Sequence, residues 1–505
     1  SMKQGIGVLS RLGVTGEDVA SFKKEGVFLY ENGTTAALPE KFVSETRTLE
    51  RSCSDYGAGT YNIIGAYTEE PSGTKQNKLV TELIFTVRRN NNGYLVTYAT
   101  PNGVTVGEEM IHDEERTALT QIDKDHIYVG FFASRNARVT ISDVKLTTIA
   151  PEQDEKAKAR AITYVDPDYR IESGDYANSS SYTLTFYGNA DGLLSISGES
   201  GKLVSNVPVK AYEKHRVNVA LKTGYNEFDV TFVPDKSFQF DDYTKLSNYG
   251  AAVITKSVEY KTLSGSTLYV APNGRMNGKG TESSPLDIAT ALKFAGKGQT
   301  ILLMEGTYKM TSPLRVERGI DGTEKEPIVL KADPKAKTRP VIDFQNRSSG
   351  MVFGGDWWIL SGFDVTGSMD GQKGIQLSGS HCIVENVQTY RNGNTGLQIA
   401  RLYASDTFED WPCDNTVRGC VSFLNADKGY EDADGFAAKL TVGNGNRFES
   451  CIAAYNADDG WDLYAKVETG SIGAVLIKDC VSFKNGFVLG EDGKEIAAGN
   501  GNGFK

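Results

Sequence analysis

Four ten-residue segments of this chain can be laid over one another without a gap: Ile383–Asn392, Thr416–Asn425, Arg447–Asn456 and Leu476–Asn485. Each has apolar residues near its start, a small or polar pair, a further apolar residue and a final asparagine. Val387, Cys420, Cys451 and Cys480 fall in one column, and Asn392, Asn425, Asn456 and Asn485 in another. Successive asparagines are 33, 31 and 29 residues apart. A repeat near 30 residues, built of short β-branched strands with no helix in it, predicts a parallel β-helix. Each coil buries only one face, so coils must stack to close a core. Equivalent side chains then superpose at the strand spacing of ~4.8 Å. The cysteines become an interior apolar stack, and the asparagines a hydrogen-bonded ladder at a turn. A leucine-rich solenoid would need LxxLxL spacing, which is absent.

This texture starts near Ser266, so residues 266–505 form the expected β-helix. Two segments precede it. In residues 1–150, alternating strands are expected at Leu79–Arg88, Tyr94–Thr100, His126–Phe132 and Val139–Ile149, separated by turns such as Asn91-Asn92-Gly93 and Pro101-Asn102-Gly103. That spacing suggests an antiparallel, concanavalin-like β-sandwich, either a spacer or a carbohydrate-binding module. The polar stretch Pro151–Arg160 reads as a linker. Residues 160–262 repeat the pattern with Tyr182–Tyr187, Leu193–Ser197, Arg216–Leu221 and Glu227–Phe232, a smaller immunoglobulin-like sandwich. The fold class is therefore all-β: a parallel β-helix preceded by two antiparallel sandwiches.

Composition narrows the function. The 505 residues carry 54 Lys+Arg against 65 Asp+Glu, a net charge of −11, which argues against nucleic acid or anionic lipid as a partner. No apolar run approaches the ~20 residues of a membrane span. Six cysteines without a CxxC pair or a His/Cys cluster argue against a disulfide scaffold and a structural zinc site. Four histidines leave little room for histidine catalysis. Ser1-Met2 reads as a cloning remnant, with any leader removed upstream. A monomer is expected.

The chemistry lies in a second set of columns. After each asparagine turn comes a glycine followed by an apolar anchor: Gly374-Ile375, Gly396-Leu397, Gly435-Phe436, Gly460-Trp461 and Gly503-Phe504. The anchors point inward, so their strand neighbours point outward. Before the glycines stand Lys373, Thr395, Asp434, Asp459 and Asn502; after the anchors stand Gln376, Gln398, Ala437, Asp462 and Lys505. Asp434 lies one rung below Asp459, Asp462 one rung below Lys505, and Asp458 beside Asp459. Four carboxylates so close repel one another. A hard cation with oxygen ligands resolves the conflict, and Ca²⁺, with ~6–8 oxygens in loose geometry, fits better than Mg²⁺. The alternative is a solvated acidic turn. A lysine beside a bound divalent cation has its pKa pushed down and can serve as general base. Together these groups could abstract the proton α to a uronate carboxylate and expel the 4-linked oxygen, a β-elimination. A hydrolase would need a protonated carboxyl opposite an ionised one.

The segments Asp432-Ala-Asp-Gly-Phe-Ala-Ala-Lys439, Asn456-Ala-Asp-Asp-Gly-Trp-Asp-Leu-Tyr464 and Asn500-Gly-Asn-Gly-Phe-Lys505 resemble the pectate lyases of polysaccharide lyase family 9. The resemblance spans residues 266–505. It implies a right-handed β-helix, Ca²⁺-assisted cleavage of pectin or galacturonan from plant cell walls, and a secreted or cell-surface location. Carried across by motif, Asp434, Asp458, Asp459 and Asp462 would be calcium ligands and Lys505 the base. In similar lyases further coils follow the last motif, so a chain stopping at Lys505 is expected to be truncated and its lysine frayed. Arg401, Lys439 and Lys466 are candidates for binding flanking sugar carboxylates, or else are surface charges or salt-bridge partners of the aspartate cluster. Trp357, Trp358, Trp411 and Tyr464 are candidates for stacking on sugars, with one of the tryptophan pair expected in the core. Rhamnogalacturonan I as substrate, and a non-catalytic pectin-binding or adhesin role, remain open alternatives.

Overall fold

A computed structural model describes residues 162–505 except 467, 468 and 491; before residue 162 it describes nine short strands and residues 141–153. The chain divides into two compact units, Ser1–Ala161 and Ile162–Lys505.

In the first unit every described strand pairing is antiparallel. Ile84–Asn90, Gly93–Ala99 and Thr105–His112 form a meander in which Asn90 pairs with Gly93. Gly5–Leu9 pairs with Gly26–Tyr30 and with Gly130–Ser134. The strand expected over Val139–Ile149 does not form along its described part, 141–149. There Asp143 has a left-handed backbone, φ 54°, and Val144 and Leu146 are exposed, so no partner ladder rewards an extended run. How these sheets pack, and with it the expected concanavalin-like sandwich, lies outside the described residues.

The second unit opens with the smaller sandwich. Tyr169–Ile171, Ser181–Gly188 and Lys214–Ala220 form one antiparallel sheet. Gly192–Gly198, Gly201–Val209, Gly224–Pro234 and Ala252–Tyr260 form the other. Gly224–Pro234 shows why: its residues alternate between buried and exposed, putting Phe228, Val230 and Phe232 against Leu184, Phe186 and Ile196. Only short edge strands break the antiparallel rule, with Tyr176–Ala177 parallel to Ala252–Tyr260 and Thr163–Val165 parallel to Thr244–Leu246.

From Thr267 onward three parallel sheets wind around one core. The first has eight strands, from Thr267–Val270 to Val475–Lys478. The second has seven, from Thr307–Lys309 to Val481–Phe483. The third has six, from Leu314–Val316 to Trp461–Asp462. The four repeats lie in the register expected from their sequence: Ile383 pairs with Thr416, Thr416 with Arg447 and Arg447 with Leu476. Cys420 and Cys451 are buried in the core with Val387, and Cys480 packs half-buried against it. The helix Ile288–Phe294, capped by Asp287, adds Ile288, Ala291 and Leu292 to that core.

The asparagine column is the ladder expected. Asn392 Nδ2 donates to Asn425 Oδ1 at 2.9 Å, Asn425 to Asn456 at 2.8 Å and Asn456 to Asn485 at 2.8 Å. The backbone N–H of Asn392, Asn425 and Asn456 each donates to the same oxygen as its side chain. A second, shorter ladder was not foreseen: Asn415 donates to Asn446 Oδ1 at 2.9 Å, and the Asn415 oxygen takes the Cys382 N–H. These residues stand one position before the aligned segments, where the columns had not been extended.

The sandwich is fastened to the β-helix by a buried ion network. Asp406, on the loop after the third-sheet strand Leu397–Ile399, accepts from Arg318 at 2.7 and 2.9 Å and from Lys214 of the sandwich. Arg216 pairs with Asp410 at 2.8 Å, and Ser405 donates to Glu172.

Candidate active site

The third sheet carries the chemistry. Ile375, Leu397, Phe436 and Trp461 stack in register, and Trp461 bridges to Phe504. The rings of Phe436, Trp461 and Phe504 lie 5.0 and 4.9 Å apart and nearly parallel. The glycines at 374, 396, 435 and 460 are dictated by the asparagine ladder. A Cβ on Gly460 would stand 2.9 Å from Asn485 Nδ2 and 2.2 Å from Ser482 Oγ. Lys505 is held by backbone hydrogen bonds to Trp461 O and from Leu463 N–H, so it is placed rather than frayed.

The neighbours of these anchors converge as the columns require, but under cover. Asp434, Asp458, Asp459 and Asp462 are all at most 3% exposed. Oxygens of Asp434, Asp459 and Asp462 lie within 4.8 Å of one another. Asp458 stands beside them, its Oδ1 accepting from Asn500 N–H at 2.7 Å and Nδ2 at 3.2 Å. Thr395 Oγ1 donates to Asp434 at 3.0 Å, and Asn502 donates twice to Asp459 Oδ1, each at 2.8 Å. Even so, Asp458 Oδ2 and Asp459 Oδ2 are buried without a hydrogen-bond donor.

Two ammonium groups face this cluster. Lys439 Nζ bridges Asp434 and Asp462, 2.8 Å from each. Lys505 Nζ lies 3.1 Å from Asp459 Oδ2 and 4.0 Å from Asp462, close in charge though not aligned for a hydrogen bond. Burial pushes Asp434 up to about 7 against the pull of Lys439, and raises Asp458. For both lysines burial works against the charge, but the carboxylates outweigh it and hold each above the ordinary lysine value. The protein's own groups therefore favour the protonated form of Lys505.

The remaining candidates are more scattered. Arg401 lies half-buried at the end of its third-sheet strand, its N–H donating to Thr441 Oγ1 at 3.2 Å. Lys466 is exposed. Lys439 was a candidate for sugar carboxylates, and the structure gives it Asp434 and Asp462 instead. Trp358 is the core member of its pair, with Nε1 donating to Ile320 O. Trp411 is buried too, bonded to Asp406 O, and offers no open face for a sugar. Trp357 stacks on His381 at 4.4 Å, and Tyr464 is half-exposed with Lys505 Nζ 6.0 Å from its ring centre. Sequence reasoning missed the donors Thr395, Asn500 and Asn502, although two of them stood in its own columns. It also found no His/Cys cluster, whereas stacking brings His381, Cys413 and Asp414 within 4.8 Å at a turn.

A right-handed parallel β-helix with buried carboxylates and flanking lysines along one sheet is the class these features define. Residues 268–505 match the family described as Pel9A-like, right handed beta helix region, in line with the resemblance to polysaccharide lyase family 9. Residues 44–151 match the pectate disaccharide-lyase N-terminal domain and residues 170–249 its central Ig-like domain. Over 453 residues the chain is 38% identical to a pectate lyase L of Thermoclostridium stercorarium, covering 89% of this chain and 35% of that protein. It is 42% identical over 268 residues to a pectate lyase L of Paenibacillus polymyxa, covering 52% and 58%. It is 30% identical over 419 residues to a pectate disaccharide-lyase of Dickeya chrysanthemi, covering 81% and 51%. The chain thus spans between about a third and three fifths of these relatives' lengths. Among the described residues no helix is long and apolar enough to cross a membrane.

Proposed function

We propose that this chain is a calcium-dependent polysaccharide lyase that cleaves polygalacturonate by β-elimination, with Lys505 as the base. The observation that carries the reading is the meeting of Lys505 Nζ with Asp459 and Asp462 beside Asp434, in a chain whose relatives are named pectate lyases.

The residues suit a hard cation. The donor set is all oxygen, two of its buried oxygens lack a donor, and three carboxylates share one small volume. Asp434, Asp459 and Asp462 would hold Ca²⁺, with Asp458 at its side. When bound, calcium would supply charge that offsets the carboxylates, lowers the proton affinity of the nearby lysine and acidifies C5 of a bound uronate. Lys505, neutral, takes the C5 proton through Nζ; the electron pair left behind forms the C4–C5 double bond and expels the 4-linked oxygen. Asn502 and Asn500 fix Asp459 and Asp458, so the carboxylates keep their positions when the lysine turns to substrate. Lys439 holds Asp434 and Asp462 together, and Arg401 and Lys466 bind carboxylates of flanking sugars. The polymer substrate implies a secreted or cell-surface enzyme.

The test is ultraviolet absorbance of the unsaturated uronate product on polygalacturonate, with rhamnogalacturonan I beside it, in calcium and in chelator. Product only with calcium supports the reading. No product from either polymer leaves a pectin-binding protein, and undiminished product in chelator removes the metal.

A further inference from the structure

Most cations along the third sheet are already engaged. Arg315 pairs with Glu317, Arg318 with Asp406, Lys439 with Asp434 and Asp462, and Lys505 with Asp459. Lys373 is different. It stands before Gly374 in the column that continues through Thr395 to Asp434, two rungs or roughly 10 Å away. It is half-buried, and its side chain has no ion pair or hydrogen bond among the described residues. Burial first, and then the charge of Lys439, lower its pKa, with Asp432 opposing. A lysine that serves only the fold would be expected to pair or to reach water. This one does neither completely and stands in the same column as Asp434.

A second group on that face is also unpaired. Gln398 is 4% exposed, and its Oε1 is buried with no donor. Its neighbour one coil earlier, Gln376, shows what a satisfied amide does here: its Nε2 donates to Ser378 Oγ and Arg401 O, each at 3.0 Å. In the next coil the position over Gln398 is Ala437, which offers no hydrogen bond. A buried amide oxygen without a donor costs ~1–3 kcal/mol, which a ligand donor would recover. Lys373 and Gln398 lie on adjacent coils, separated along the strand by about 10 Å, a span that the lysine stem and one sugar ring bridge together.

We propose that Lys373 and Gln398 form a subsite for a uronate next to the one at the aspartate cluster. Lys373 binds its carboxylate, and Gln398 Oε1 accepts from a ring hydroxyl. This rests on the reading of the chain as a uronan lyase. The subsite prefers a free carboxylate to a methyl ester, because only the carboxylate neutralises Lys373.

Trigalacturonate is titrated by calorimetry into Lys505→Ala, in which turnover is expected to be slowed, and into the same variant with Lys373→Gln, Lys373→Arg or Gln398→Leu added. Lys373→Gln weakens binding about ten-fold, the scale of a charge-assisted hydrogen bond, and Lys373→Arg restores most of it. Gln398→Leu weakens binding about five-fold while leaving the melting temperature the same or higher, which loss of a structural amide would not do. Unchanged affinity in both Lys373→Gln and Gln398→Leu overturns the subsite, as does Gln398→Leu weakening binding only by unfolding the protein. Turnover by the unaltered chain is assayed in parallel. If it forms no unsaturated product, the lyase reading fails, and the titration still decides whether Lys373 and Gln398 bind the uronate.

Discussion

Two columns of buried polar side chains run along this β-helix a few residues apart, and they behave oppositely. The asparagine ladder is self-sufficient. Each amide both donates and accepts, so repeating it coil after coil satisfies every member from Asn392 to Asn485. The aspartate cluster is not. A carboxylate only accepts, so stacking Asp434 under Asp459 adds repulsion and leaves Asp458 Oδ2 and Asp459 Oδ2 without donors even after Thr395, Asn500, Asn502, Lys439 and Lys505 have contributed. The same translation that makes a neutral amide column a structural spine makes an acidic column a binding site. The first is complete in the protein; the second leaves acceptors that the proposed cation would fill.

That contrast can be broken by experiment. Lys505→Ala is expected to lower turnover by about 10²–10⁴-fold, the range for a general base, while calorimetric calcium binding persists. Retained turnover would return the lysine to the role of a salt-bridge partner. Asp459→Ala should weaken calcium affinity by roughly 100-fold, whereas an equal loss from an asparagine of the ladder would erase the distinction between the columns. Asn425→Ala should instead cost about 2 kcal/mol in denaturant unfolding, because it removes the acceptor of the Asn392 amide and the side-chain donor to Asn456, which keeps only the backbone N–H of residue 425.

A further effect is in pH. With its pKa raised to about 7, folded Asp434 binds its proton more tightly than the unfolded chain does. Between about pH 4 and 7 the folded state therefore holds more protons, and stability in chelator falls as pH rises through that window. Asp434→Asn should flatten the slope, and saturating calcium should oppose it, both read as melting temperature against pH. A slope unaltered by Asp434→Asn would place the titration elsewhere.

Much of this could be read from the chain. The register of Ile383, Thr416, Arg447 and Leu476, the anchors from Ile375 to Phe504, and the convergence of Asp434, Asp459 and Asp462 follow from residue spacing, because stacking coils is a translation and equal positions meet. Position along the strand also separated inward from outward residues. It did not separate outward from exposed: Asp434 and Asp459 project from the core face yet are wholly buried. Nor did it decide between sugar carboxylates and the aspartate cluster for Lys439, since that lysine folds back from beyond its strand to span two coils. The segments between strands vary in length and carry no period. For that reason the Asp406 network that fastens the sandwich, the burial of Trp411 and the meeting of His381, Cys413 and Asp414 were invisible in it.

The sequence alone thus determined the repeat, the ladder and the acidic column, because those depend only on which residues recur at the coil period. Tertiary structure decided how deeply the carboxylates are buried, which ammonium groups neutralise them and which polar atoms remain unpaired. These depend on aperiodic loops and on long side chains, whose reach no spacing encodes.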